Sequence, residues 1–585
     1  MGASSEAEQH PSPAAPSAAG GEHAQRRRKH WGWGYEDEQP TSAQLAALAR
    51  ALEARLQVPF QEPRAPAALE QLRLPAVRLS APRALAELCT SSHYERARHA
   101  HGSSYADVVE GFYGRFAAAP DLVAYPRSED QVQALLAWCA EERIAAIPYG
   151  GGTSVVGGVR PQLPAGYAGA LCIDLSRLSG LYELDTVSAA ARLGAGSSGP
   201  QLEAALGRSG FTLRHYPQSF ALSTLGGWIA TRAAGHFATG QTHIEDQLEA
   251  LRMATPAGMV ATTRLPASGA GIDPLRLMAG SEGALGVITE AWVRVRRRPR
   301  TIVRASVSFE RFELGAHCIA ALLQEDLQPA NCRLLDEHEA ALALAEGERR
   351  ALLLLAFESP AGAQAARGAL AAAMDRALAI CAQHGGALRG EARFQERSQP
   401  SADAGAGAQR RTHGAGAREA GEAGWREAFL GAPYLRDAMV ACGVFTETFE
   451  TAVTWARLAA LDNEVRGAAL RVLEGRGVRE RDLRLSARLT HAYRDGAAPY
   501  YTVIAPVARG EELTLWQELK SAISEAILAA GGTITHHHAV GRDHMPWYGR
   551  ERPEPFAGAI AGAKAALDPR WVMNPGVLLK VPPLS

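Results

Sequence analysis

The chain has 585 residues, 61 Lys and Arg against 62 Asp and Glu, and 47% hydrophobic residues. That length supports two or more domains with full cores, and the near-zero net charge excludes the global basic excess of a nucleic-acid binder. No run of about 18 apolar residues offers a membrane span, and seven scattered cysteines without a CxxC pair point to reduced thiols rather than a disulfide framework or zinc site.

The N-terminus lacks an apolar h-region. Glu6 stands where myristoylation wants Ser or Thr, and the closing Pro-Pro-Leu-Ser is not the peroxisomal Ser-Lys-Leu. The expected localisation is therefore cytoplasmic, with peripheral membrane contact left open. Residues 1–28 are rich in Ala, Ser, Pro and Gly and read as a disordered tail. The cluster Arg26, Arg27, Arg28, Lys29 suits a solvated charge run or acidic lipid headgroups. An N-terminal helical and extended region spans 29–117; Trp31, Trp33 and Tyr35 need a surface to pack on, and 42–56 carries helical apolar spacing.

From 118 to 299 the pattern is α/β. Leu122–Pro126 is a short strand, and Ser128 caps a helix with Gln131 as its capping-box partner. Ile144–Ile147 is a strand feeding a glycine loop, and Ala170–Asp174 is the next strand. Residues 300–560 form a second unit with strands at Val303–Val307 and Ala351–Phe357, and a low-complexity loop at 395–424. Residues 561–585 are expected to return to the first unit.

The glycine loop is the strongest local signal. It reads Pro148, Tyr149, Gly150, Gly151, Gly152, Thr153, Ser154. Consecutive glycines allow positive φ and close approach, and successive N–H groups with two hydroxyls can gather round one anion. Alone, it could equally be a surface turn. It has neither the P-loop lysine nor the GxGxxG spacing. Three further segments follow: Gln218, Ser219, Phe220, Ala221, Leu222, Ser223, Thr224; then Thr231, Arg232, Ala233, Ala234; then Glu282, Gly283, Ala284, Leu285, Gly286, Val287, Ile288. Asp568–Gly576 closes the globular region.

Together these segments resemble the flavoproteins of the vanillyl-alcohol oxidase type. The resemblance implies an α+β fold, with a two-subdomain FAD-binding domain (118–299) and an α+β cap domain (300–560). It also implies that the segments above contact FAD. Gln218 stands where the branch usually has Asp. Within the family, His536, His537, His538 followed by Ala-Val-Gly is similar to the alkyl-dihydroxyacetonephosphate synthase branch. So are Trp31–Tyr35, Tyr434–Asp437, Thr446–Trp455, Asn331–Asp336 and Tyr493–Tyr501. Read without the family, the three histidines suit proton transfer, a metal site or a surface run, and on a strand or loop they would face alternating sides.

The resemblance implies exchange of the acyl group of acyl-dihydroxyacetone phosphate for a long-chain fatty alcohol, with FAD required although the overall reaction is not an oxidation. It points to Tyr500 as proton acceptor or donor, helped by the histidines or a cationic neighbour. It makes Arg436 the phosphate clamp, with an ion pair to Asp437 or a neighbouring carboxylate as the alternative. Arg333 would stabilise charge near the flavin, and Thr448 would keep the hydroxyl of the branch's serine. The other reading of the same scaffold is an FAD-dependent oxidase or dehydrogenase of a 2-hydroxy acid such as D-lactate or D-2-hydroxyglutarate. The expected partners are these small lipid substrates. A homodimer is left open, and neither a metal nor nucleic acid is expected.

Overall fold

The computed structural model describes residues 26–56, 62–341, 348–397 and 422–582. Most of the expected 1–28 tail and most of the 395–424 segment lie outside the described residues. The fold is α+β, as expected. A four-stranded sheet runs in the order Cys89–Thr90, Leu122–Ala124, Ala170–Asp174, Ala145–Tyr149. The last three strands pair in parallel and are almost wholly buried, which is why they read as short apolar runs. Helix Glu129–Glu142 covers it. Ser128 Oγ accepts the Gln131 N–H as expected, but the Gln131 side-chain oxygen accepts from Arg127 N–H instead of closing the box at Ser128.

Residues 572–574 lie against this sheet. Ala146 N–H donates to Val572 O, and Asn574 N–H donates to Ala146 O. These bonds lay the last residues along the strand that feeds the glycine loop. A second, antiparallel sheet of five strands is ordered Leu181–Asp185, Ala190–Gly194, Val287–Arg294, Leu248–Thr255, Gly258–Ala261.

A third, antiparallel sheet holds the remaining chemistry. Its main path is Ala387–Leu388, Thr301–Phe309, Ala351–Ser359, Asn331–Leu335, Arg484–Ala492, Gly496–Pro506, Val444–Glu450. One face packs Leu334, Ala487, Leu489, Tyr501, Val503, Phe445 and Phe449 into the largest core, under helices that include Phe312–Gln324 and Trp455–Gly475. The pleat sends the alternate residues to the opposite face. Register pairs Tyr500 with both Arg488 and Glu450, and Leu335 with Arg488. Directly opposed residues share a face, so Arg333, Arg488, Tyr500, Thr448 and Glu450 stand together. Adjacent Tyr500 and Tyr501 therefore have opposite fates, one at the polar face and one in the core.

A register shift between Leu489 and His491 pairs His491 with Ala498. That irregularity rotates His491 onto the Tyr500 face, where strict alternation from Arg488 would have turned it away. Among the described residues, no helix is long and apolar enough to cross a membrane.

Candidate functional site

The strand Ala145–Tyr149 delivers the glycine loop at its end. Gly152 has φ +67°, and a Cβ on Gly151 would lie 1.9 Å from Leu222 O. A Cβ on Gly150 would lie 2.2 Å from Thr224 Oγ1. The first two segments named from the sequence thus touch, backbone to backbone. The N–H groups of Gly150 through Ser154 donate to no described residue, while the loop itself is braced. Ser103 Oγ donates to Gly152 O at 3.0 Å, and Ser154 Oγ accepts Gly158 N–H at 2.9 Å. Five consecutive amides without an acceptor among the described residues, on a loop whose three glycines leave no room for a Cβ, fit the pyrophosphate of FAD. Gly151→Ala is expected to push the loop off Leu222 and leave purified protein with little bound flavin; retention of wild-type absorbance near 450 nm (about where oxidised flavin absorbs) would contradict this.

Thr224 caps helix Leu225–Thr231 through Gly227 N–H, and Ser223 Oγ accepts Trp228 Nε1–H at 2.6 Å. Arg232 differs from the other named residues: its guanidinium is held by Glu245. Leu222, Leu285, Val287 and Ile288 have buried side chains, so any cofactor contact from them is through backbone. Glu282 turns toward the histidine segment and accepts from Val540 N–H at 2.9 Å and Gly541 N–H at 2.8 Å. Burial raises its carboxyl to about 7. Asn574 Nδ2 donates to both Gly158 O and Glu282 O, tying the first and third glycine segments together.

The basic cluster expected to end a tail is folded onto the protein. Arg26 pairs with Asp37 and Glu38. Arg28 Nη2 donates to Gly151 O at 3.1 Å, while its Nε is buried without a hydrogen-bond partner. Lys29 lies 3.8 Å from Asp437, which also accepts Trp33 N–H. The segment clips the glycine loop to helix Glu422–Ala441, with Trp31 against Phe112 and Trp33 against Tyr434. Sequence composition hid this, because three arginines after a polar stretch look solvated.

That clip also bears on Arg436. Asp437 is taken by Lys29 and Trp33, and Arg436 pairs with no carboxylate among the described residues; its Nε is buried and lacks a hydrogen-bond partner. The alternative ion pair is absent there. Arg333 is 1% exposed and donates from Nη2 to His236 O at 3.2 Å.

Tyr500 is buried at the polar face. Arg488 lies 4.2 Å over its ring, and Thr448 hydrogen-bonds its hydroxyl. Burial raises the phenol, and Arg488 and Thr448 oppose that rise. The expected cationic neighbour is therefore Arg488, a residue the sequence reading did not name.

The three histidines do not alternate across a strand. They sit in a turn whose backbone converges on one carboxylate: Glu450 accepts His536 N–H at 2.7 Å, His538 N–H at 2.9 Å and His537 N–H at 3.2 Å. Thr535 Oγ1 adds a fourth donor at 2.6 Å. Burial works against the charged carboxylate, but the three histidines and Thr535 outweigh it and hold Glu450 well below the usual carboxylate range. The imidazoles then crowd Tyr500: His537 stacks parallel to its ring at 6.0 Å, and His538 meets it edge-on at 5.6 Å. Burial pushes His537 down to about 3 and His538 to about 4. They are neutral bases at neutral pH, not rings near their ordinary value. One nitrogen each of His491, His536 and His537 lies within 4.8 Å of the others, though both ring nitrogens of His491 and His536 already have protein partners.

Comparison with known proteins adds the family. An FAD binding domain matches residues 120–264, and the C-terminal domain of FAD linked oxidases matches 298–578. Alkyldihydroxyacetonephosphate synthase of Trypanosoma brucei brucei is 30% identical over 490 residues, covering 84% of this chain and 78% of that protein. The synthase of Dictyostelium discoideum is 26% identical over 513 residues, covering 83% and 77%. The mitochondrial cytochrome D-lactate dehydrogenase of Arabidopsis thaliana is 27% identical over 467 residues, covering 79% and 73%. A solved alkyldihydroxyacetonephosphate synthase superposes with TM-score 0.75 at 21% identity, over 94% of this chain and 98% of that one; at that identity the likeness carries the fold.

Proposed function

The chain belongs to the alkyldihydroxyacetonephosphate synthase family of FAD-linked flavoproteins, and from that premise we propose its reaction and the roles of its residues. It is an FAD-dependent enzyme that exchanges the acyl group of acyl-dihydroxyacetone phosphate for a long-chain fatty alcohol, giving the alkyl ether. The observation that carries this reading is the company Tyr500 keeps, a protonated phenol with neutral imidazoles against its ring, together with the guanidinium of Arg436, which pairs with no carboxylate among the described residues and whose charge reaches His538. Exchange of a carboxylate for an alcohol on a phosphate-bearing carbon skeleton needs those three things.

The bound flavin supplies the redox-capable ring system against which the exchange at C1 takes place. The protein supplies the rest. Arg436 holds the phosphate through charge-assisted hydrogen bonds. The entering alcohol loses its O–H proton; Tyr500 and the ring nitrogens of His537 and His538 are the groups that take and return it. Arg333 and Arg488 keep positive charge behind the same face, and Thr448 orients the phenol oxygen. Arg436→Met is expected to raise KM for the phosphate substrate about 10- to 100-fold, the loss of one charge-assisted bond of about 1.5–3 kcal/mol, at unchanged flavin content. A KM within twofold of wild type would remove Arg436 from the phosphate site.

The second reading is oxidation of a 2-hydroxy acid, and the dehydrogenase relative favours it. Rapid mixing with D-lactate or D-2-hydroxyglutarate separates the two: the flavin stays oxidised under the first and bleaches under the second. Lipid substrates bring peripheral membrane contact into the proposal. The 26–29 cluster is spent on internal partners, so the exposed Leu265 and Ile272, 59% and 94% exposed, are the better candidates for it. A homodimer remains part of the proposal without a named surface.

A further inference from the structure

A line of hydrogen bonds runs from the FAD-binding half of the chain into the histidine turn. His243 Nε2 lies 2.9 Å from the backbone oxygen of His536. Thr242 Oγ1 lies 3.2 Å from His243 Nδ1 and 2.9 Å from the Tyr493 hydroxyl. The Tyr493 hydroxyl lies 2.6 Å from His536 Nε2, and His536 Nδ1 lies 3.0 Å from His537 Nδ1. None of these contacts was legible in the sequence, although Tyr493 opens one of the matched segments.

The line has a direction, and one group sets it. A carbonyl oxygen only accepts, so His243 Nε2 carries a hydrogen. With His243 neutral, its Nδ1 is an acceptor, and Thr242 O–H donates to it. The Thr242 oxygen then accepts from Tyr493 O–H. The Tyr493 oxygen accepts from His536 Nε2–H. His536 Nδ1 is then a lone pair, and His537 Nδ1–H donates to it. What remains is His537 Nε2, a lone pair with no hydrogen-bond partner among the described residues. Each assignment follows from the one before it, which is how a tautomer is fixed when hydrogens are inferred from a network.

The opposite direction exists in one case only. If His243 carries a hydrogen on both nitrogens, every bond reverses and His537 Nε2 bears the N–H. The two states of the line differ by one proton. When His537 Nε2 takes a proton, its Nδ1–H passes to His536 Nδ1, the His536 Nε2–H passes to Tyr493, the Tyr493 proton passes to Thr242, and the Thr242 proton passes to His243 Nδ1. Each residue from His537 to Thr242 gives one proton and receives one, His243 receives one, and the charge moves from the buried turn to His243.

We propose that Thr242, His243 and Tyr493 are positioning residues that act through His536 to fix His537 as the Nδ1–H tautomer, leaving its Nε2 as the base beside Tyr500, and that the same line carries that base's proton to His243. This rests on the exchange reaction proposed above for the His537 part. It explains why the histidines come as a run: His536 relays, His537 reacts, and the backbone of all three is pinned by Glu450. It also gives the Tyr493 segment a role distinct from that of Tyr500, seven residues further along.

The test is nitrogen NMR on FAD-loaded enzyme carrying 15N-labelled histidine, with His537→Gln used to assign the signal. Wild type should show His537 as a single Nδ1–H tautomer. Tyr493→Phe deletes the acceptor of His536 Nε2–H; His537 should then become a mixture of tautomers, and kcat should fall by at least about 10²-fold while KM for acyl-dihydroxyacetone phosphate stays within twofold. Thr242→Val interrupts the line elsewhere and should shift His537 in the same way, so a folding defect peculiar to one variant does not decide the matter. A His537 signal unchanged in both variants overturns the proposal, as does a changed tautomer with undiminished kcat in an enzyme that exchanges alcohol. If the tautomer shifts as expected but wild type exchanges no alcohol, the positioning line stands and the exchange reading fails.

Discussion

Tyr500→Phe should retain FAD and fold, and lose alcohol exchange by about 10²- to 10⁴-fold, the range for removing a positioned general acid–base. The ring stays, so the stack on His537, the edge contact with His538 and the cation over its face are kept. Only the hydroxyl goes, together with its bond to Thr448. The flavin segments lie on other elements, from Pro148 to Ile288, so absorbance near 450 nm (about where oxidised flavin absorbs) should be unchanged. A variant with more than a tenth of wild-type exchange would show that the phenol only fills space. Thr448→Ala should give a smaller loss in the same assay, because it changes the orientation of the hydroxyl and not its presence.

Glu450→Ala should have the largest effect on stability. Its carboxylate gathers three backbone N–H groups and one hydroxyl from Thr535 to His538. Removing the acceptor leaves those donors without partners, each at about 1–3 kcal/mol, and the total is expected near 3–5 kcal/mol, the usual result of deleting one side of a buried charged cluster. Activity should vanish with it, since the turn sets His537 and His538 against Tyr500. The pH dependence has a definite sign. The folded carboxylate is held below its unfolded value of 4.5, so its contribution is full above that pH and is lost as pH falls through the lower folded value. Urea melts at pH 7 should separate wild type from Glu450→Ala by those kilocalories, and melts well below pH 4.5 should bring the two together. Equal midpoints at pH 7 would contradict the account.

The segments proposed to hold the flavin stood out in the sequence because a phosphate cradle needs distinctive residues. Three glycines in a row, a hydroxyl-rich turn before a helix and a third glycine turn are visible without a fold, and helix Ser42–Leu56 and strand Ala170–Asp174 fall where patterning put them. Arg436, Tyr500, Arg333 and Thr448 were proposed through likeness, since nothing local marks them. What stayed hidden depended on long-range placement. Glu450 shares a two-residue alternation with Thr446 and Thr448, so its face could have been read, but its partners lie 85 to 88 residues away. Arg488 reaches Tyr500 only through strand register. His491 needs an irregularity in pairing that alternation cannot forecast. Arg28 was lost in a run of like charges whose partners are Glu36, Asp37, Glu38, Asp437 and a backbone carbonyl. The histidines were noticed for the right reason and given the wrong geometry, because a turn wrapped on a buried carboxylate leaves no mark in a run of identical residues.

The central claim is exchange at a phosphate-bearing carbon by a flavoenzyme that undergoes no net redox change. Its most direct test is incorporation of labelled hexadecanol, with acyl-dihydroxyacetone phosphate as donor, by wild type and Tyr500→Phe without any added electron acceptor. The account predicts labelled alkyl-dihydroxyacetone phosphate and one equivalent of free fatty acid from wild type, and almost none from the variant. No labelled ether from FAD-loaded wild type, or the same yield from both proteins, would contradict it.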